Sequence, residues 1–211
     1  ISDEDVISYY ETKNKNVKVQ SSALNAIGLM GTQKDVPVLL KQLTDPKNTN
    51  QDAFSDAIIR ILKREEDEDR CKPIINAINK AKPEKYTILL SILAKVDDNS
   101  AQNFVLSWLN LPADVPQNKV KIENAISALA LWDNPKLAEH IITFLKSHPK
   151  HPYQNDVWKT LIRFLSLPGL AWDEKVWICQ QAIEVMPDKA EDMFNILGGI
   201  STTDSFMAVA K

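Results

Sequence analysis

Apolar residues recur along most of this chain at intervals of three and four, the spacing that collects them on one side of an α-helix. The pattern is clearest between Val17 and Leu43. Val17, Ala23, Leu24, Ile27 and Met30 fall at helical spacing, with Lys18, Gln20, Ser21, Ser22 and Asn25 between them, which predicts an amphipathic helix over 17–30. Gly28 and Gly31 lie at its end, where glycine serves a left-handed C-cap or a close backbone approach. The polar turn TQKD follows. Asp35 is the expected N-cap of a second helix, with Pro37 in its first turn, where the missing N–H costs nothing, and Val36, Leu39, Leu40 and Leu43 as its apolar face. Helices joined by about four residues lie antiparallel, and a pair this small cannot bury both faces without neighbours.

The same plan recurs downstream. Ser2 to Lys15 reads as a short capping helix, the cover a stacked array needs over its first open face. After the loop LTDPKNTNQD, helices are expected over Ala53–Lys63 and about Arg70–Ala81. Pro83 opens a third pair, with VDDNS as its turn and N-cap and Ala101–Leu109 as its second helix. Val120–Leu131, the turn WDNP and Leu137–Leu145 form a fourth pair. Val157–Leu167, LPGLAWD and Glu174–Val185 form a fifth, and Ala190–Leu197 begins a sixth, followed by the turn STTD and a last helix.

Superposed on their last strong apolar position, the first helices align Ile27, Leu62, Leu93, Leu129, Leu165 and Leu197, with steps of 35, 31, 36, 36 and 32 residues. A helix-turn-helix period in the ~30–45 range marks an α-solenoid. The expected fold is therefore all-α, a right-handed α-α superhelix of about six helical hairpins. It forms one continuous domain over 1–211, with a cap at 1–16 and units at 17–48, 49–82, 83–117, 118–152, 153–186 and 187–211.

AIGLMGTQKDVPVLLKQL, Ala26 to Leu43, resembles HEAT repeats of the short bacterial type, in which two glycines precede a polar turn and a helix begins near an acidic residue and a proline. ALALWDNPKLAEHIITFL, Ala128 to Leu145, is a copy without the glycines. The resemblance implies a HEAT- or armadillo-like solenoid whose second helices line the concave side. The early tryptophan that tetratricopeptide repeats carry does not recur. Glu174 to Lys211 also looks like the helical repeat region that accompanies secreted sugar-hydrolase-like modules. That likeness implies the non-catalytic part of an exported, periplasmic or extracytoplasmic multidomain protein, and the start at Ile1 fits an expectation of a piece of a longer chain.

Composition narrows the function classes. With 28 acidic against 25 basic residues, the net charge of −3 offers no general basic field, so nucleic acid is not expected as a partner, and DNA recognition of the HEAT-like glycosylase kind ranks last. No apolar run approaches the ~20 residues that cross a bilayer, so no membrane insertion is expected. Cys71 and Cys179, placed in helices three units apart, are expected as buried free thiols. There is no nucleophile elbow, phosphate-cradling glycine loop or His-Glu zinc helix, so no enzyme activity and no cofactor are expected of this chain. His148 and His151 in HPKHP could share a metal, but nothing nearby completes the ligand set, and the pair reads as a surface loop. His140 could face the concave side. The acidic run Glu65–Asp69 lacks calcium-loop spacing and reads as a solvated turn at a helix N-terminus.

Two surface features remain. Aligning the second helices places Lys41, Lys72, Asn76, Asn103, Ser107, Glu139, Thr143 and Gln181 on one ridge, a mixed and nearly neutral stripe suited to a protein or peptide rather than to phosphates. Of the five tryptophans, Trp108 and Trp158 occupy apolar helical positions and are expected in the core. Trp132 and Trp172 lie in turns and are expected as exposed anchors or stacking platforms. The leading expectation is a non-catalytic scaffold that binds a protein or peptide or organises neighbouring domains of its own chain. The alternative is a module supporting sugar processing.

Overall fold

The computed structural model describes residues 17–198, and every regular element among them is a helix. Eleven α-helices follow one another: α1 (Val17–Met30), α2 (Val36–Leu43), α3 (Gln51–Arg64), α4 (Lys72–Lys80), α5 (Tyr86–Val96), α6 (Asn99–Leu109), α7 (Pro116–Leu129), α8 (Leu137–Ser147), α9 (Gln154–Ser166), α10 (Trp172–Val185) and α11 (Ala190–Gly198). Single 3-10 turns at Gln33–Asp35, Pro83–Lys85 and Pro187–Lys189 lead directly into α2, α5 and α11. Two helices lie in each of the stretches 17–48, 49–82 and 153–186, while α7 begins at Pro116 and crosses the expected boundary at 117/118. The expected capping helix over 2–15 and the helix after STTD lie outside the described residues.

Contacts group the described residues into two compact units that divide between Val105 and Leu106. In the first, α1 packs on α3 and α3 on α5, α2 packs on α4, and α2 and α4 pack on α3 and α5, the first helices of the pairs that follow them. In the second, α7 packs on α9 and α9 on α11, α8 packs on α10, and α8 and α10 again pack on the following first helices, α9 and α11. Each unit is thus two layers, first helices against first helices and second against second. The six superposed positions Ile27, Leu62, Leu93, Leu129, Leu165 and Leu197 are all buried, none more than 5% exposed. So is the α2 face of Val36, Leu39, Leu40 and Leu43.

Polar bonds repeat the same spacing. Arg60 of α3 donates to Asn25 of α1, Arg64 to the carbonyls of Gly28 and Gly31, Arg163 of α9 to the carbonyl of Trp132, and the Trp158 indole to Asp192 at 2.8 Å. The partners stand 31–36 residues apart in the sequence. Arg64 and Arg163 reach carbonyls at or just beyond the end of the preceding first helix, where intrahelical donors run out.

Three details differ from the sequence reading, at Met30, Asp35 and Cys71, and the choice left open for the glycines is settled. Met30 is exposed, because the buried stripe of α1 runs through Leu24, Ile27, Gly28 and Gly31, and at about 100° per residue Met30 lies well off it. Neither glycine is left-handed. Close approach is the reason for Gly28: a Cβ there would stand 3.1 Å from the Ala57 Cα of α3. Asp35 does not cap α2 from its own position. Its carboxylate reaches back to the Thr32 N–H at 2.8 Å, so the helical path starts at the 3-10 turn, one turn earlier. Cys71 stands just before α4 rather than within it.

The Gly28 contact is testable. Gly28→Val pushes side-chain atoms into the α3 backbone, and overpacking of this kind costs about 1–3 kcal/mol. A lowered urea midpoint with an unchanged slope is the expected result. An unchanged midpoint would mean that α1 and α3 are not in this close register.

Candidate binding groove

The stacking of α2 on α4 leaves an open groove of about 670 Å³ along their outward faces. Both helices line it with the same positions. On α2 these are Pro37, Leu40 and Lys41, with Thr44 just past its end; on α4 they are Pro73, Asn76, Ala77 and Lys80, each 36 residues on from its counterpart. This i, i+3, i+4, i+7 set is the stripe next to the buried one, rotated by one residue. Each proline sits in its helix's first turn, where its missing N–H is no loss and its ring gives an apolar wall. Thr44 turns its hydroxyl onto the Leu40 carbonyl at 2.9 Å and so closes the end of α2. Pro46, Ala81, Lys82, Glu84 and Lys85 complete the lining from the loops that follow. The result is an apolar floor with amide and ammonium groups at its rim.

Of the eight ridge residues expected to work together, the groove unites Lys41 and Asn76, both exposed. Lys72 lies outside it, with its Nζ 3.3 Å from Asp69. Asn103 borders a separate acidic concavity. Ser107 is exposed on α6. On α8, Thr143 donates to its own helix at the Glu139 carbonyl, 2.8 Å away, while Gln181 of α10 accepts from Lys146. The alignment missed Lys80, Lys82 and Lys85. Their signal was present in the run KAKPEK, but Lys80 lies on α4 two residues past Ile78, off the aligned stripe, and Lys82 and Lys85 lie beyond the helix.

The acidic concavity gathers Glu66, Asp67, Glu68 and Asp69 with Asp97 and Asp98 around Arg70. Its fixed point is Asp98, whose side chain is 9% exposed and 3.1 Å from the Arg70 Nε. One carboxylate oxygen caps α6, accepting from the Ala101 N–H and the Ser100 hydroxyl at 2.8 Å each. Burial works against its ionisation, yet the Ala101 N–H, the Ser100 hydroxyl, the Cys71 thiol and Arg70 together hold its carboxyl below the usual range. Burial and the Asp98 charge push the Cys71 thiol up, and burial pushes Cys179 up to about 12. Both are buried and outside any disulfide, and neither is a thiolate nucleophile at neutral pH.

The two histidines are half-buried rather than an open loop. The His148 ring stacks on Phe144 at 4.6 Å, and His151 meets Phe144 edge-on at 5.0 Å. His148 Nδ1 faces the Phe144 carbonyl at 3.1 Å, and His151 Nδ1 accepts from the Tyr153 N–H at 3.4 Å, so one nitrogen of each ring is committed to backbone. Burial, then the neighbouring His148, lowers the His151 pKa. His140 is exposed on α8.

The tryptophan expectation divides. Trp172 is 47% exposed, although it opens α10 instead of lying in a turn. Trp132 is fully buried, contrary to expectation. Arg163 binds the Trp132 carbonyl and, at 2.8 Å, the Asp133 carboxylate, clamping the turn with the indole inward. The indole N–H has no partner. Burying ~150–250 Å² of ring is worth about 4–6 kcal/mol against the ~1–3 kcal/mol an unmade bond costs, so burial wins. Trp108 and Trp158 are in the core. Trp177, which sequence position did not single out, is as exposed as Trp172.

No family model matches the chain, nor does any curated protein.

Asp98→Asn keeps an acceptor for the Ala101 N–H but turns an NH2 toward Arg70 and Cys71. At pH 7 the expected loss is about 1–3 kcal/mol of stability. Because the native carboxyl is held below its unfolded value of ~3.9, the wild type has this stability in full above that pH and loses it as pH falls through the native value. The gap between the two proteins in chemical denaturation should therefore close in acid. A gap independent of pH would exclude the charge as its cause.

Proposed function

We propose that the chain is a non-catalytic binding module, a HEAT-like right-handed superhelix whose second-helix faces hold a protein or peptide partner. The observation that carries this reading is the groove between α2 and α4. Its apolar floor is flanked by polar groups already positioned by two rigid helices, which lowers the ordering cost of binding an extended segment. The layered packing and the 31–36-residue spacing of inter-pair hydrogen bonds support the repeat reading. Asn76 supplies both donor and acceptor to a peptide backbone, which α-helical walls otherwise cannot offer.

Panning a random 12-residue peptide library against the intact chain tests the module. Selected peptides should compete with one another and weaken at least tenfold on Asn76→Asp, with the helical circular dichroism signal unchanged. A library that yields no binder, or binders indifferent to that change, would count against the groove.

Exposure of Trp172 and Trp177 supports a second reading, in which this module contacts carbohydrate beside a sugar-processing module. Intrinsic fluorescence should then shift with an oligosaccharide series and stop shifting in Trp172→Phe. A flat titration would end that reading.

A further inference from the structure

The groove is not neutral. Lys41 and Lys80 stand in the last turns of α2 and α4, Lys82 precedes the 3-10 turn that follows and Lys85 ends it, against the single anion Glu84. This is an excess of three positive charges on one concavity of a chain whose net charge is −3. Two lysines outside the groove are in ion pairs. Lys72 pairs with Asp69 and Lys159 with Asp156, each three residues away. Among the described residues, none of the four groove lysines is in an ion pair.

We infer that the groove takes an extended acidic peptide, with aliphatic side chains on the floor and carboxylates toward the lysine rim. This inference rests on the reading of the groove as a peptide site and adds the class of its ligand. The floor of Pro37, Leu40, Pro73 and Ala77 selects for apolar groups. At about 1.5 Å per residue, the eight residues of α2 run ~12 Å, the reach of three to four residues of extended chain. Successive side chains of such a chain alternate, so one set meets the floor while the other reaches the rim.

A nucleic acid fits this surface less well. The lining holds no aromatic ring to stack on a base and no arginine to grip a phosphate in bidentate fashion. The acidic run Glu65–Asp69 in the same unit would repel a long polyanion.

The test uses fluorescence polarisation on the intact chain with three fluorescein-labelled peptides. They share alternating leucines and carry glutamate, glutamine or lysine between them; labelled oligo-dT is the fourth probe. At 50 mM salt the glutamate peptide should bind at least tenfold tighter than the glutamine peptide, and the lysine peptide should bind weakest. The preference should shrink at 300 mM salt, because rim charges are screened. Lys41→Glu with Lys82→Glu changes two exposed side chains and should abolish the preference, while Lys72→Glu, outside the groove, should leave it. Circular dichroism and thermal unfolding establish that the variants fold. Equal binding of the glutamate and glutamine peptides would overturn the acidic preference and leave the peptide-binding reading standing. Tighter binding of oligo-dT would overturn it in favour of a nucleic acid. Failure of every peptide would remove both readings.

Discussion

A pair of eight- to fourteen-residue helices has two apolar stripes and only one partner to hide them, and everything in this protein follows from that shortage. The second stripe of each first helix is covered by the next first helix: α1 by α3, α3 by α5, α7 by α9, α9 by α11. Hydrogen bonds then form where this stacking has already placed the groups. Arg64 reaches the end of α1 and Arg163 the turn after α7 because a repeat of burial brings them there. Removal of a stacking face therefore costs polar bonds as well as apolar area.

The same constraint makes the groove. A second helix must bury one stripe against its own layer and the next first helix, and the adjacent stripe is left at the surface. Because α2 and α4 stack in register 36 residues apart, their adjacent stripes meet and form one walled surface. Paired prolines in the first turns harden it. Lys41 and Lys80 lie in the last turns of α2 and α4, where cations also offset the negative end of the helix dipole, and Lys82 and Lys85 lie in the connection to α5. A structural preference of single helices thus places two of the four lysines at this concavity.

Burial also decides the fate of residues that sequence position leaves open. Trp132 is drawn inward although it follows a helix, because a short connection between stacked helices is partly an interior and Arg163 fixes its backbone. Trp172 stays out at the first residue of α10. His148 stacks on Phe144 and His151 meets it edge-on, and the Nδ1 of each ring faces a backbone atom.

Helical periodicity alone determined the all-α class, the positions of the helices to within a few residues, and the anchor positions from Ile27 to Leu197, because a stripe at 3.6-residue spacing is a local property of the chain. It also located Lys41 and Asn76 on exposed faces. Tertiary structure decided which residues share a surface: Lys41 and Asn76 line one groove, Lys72 turns to Asp69, and Lys80 joins from the end of α4 with Lys82 and Lys85 from the connection after it. It decided that Gly28 serves a close approach and not a left-handed cap, that Met30 is outside, and that Trp132 is inside. Each of these depends on what a neighbouring helix presents about thirty-five residues away, and no local pattern carries that distance.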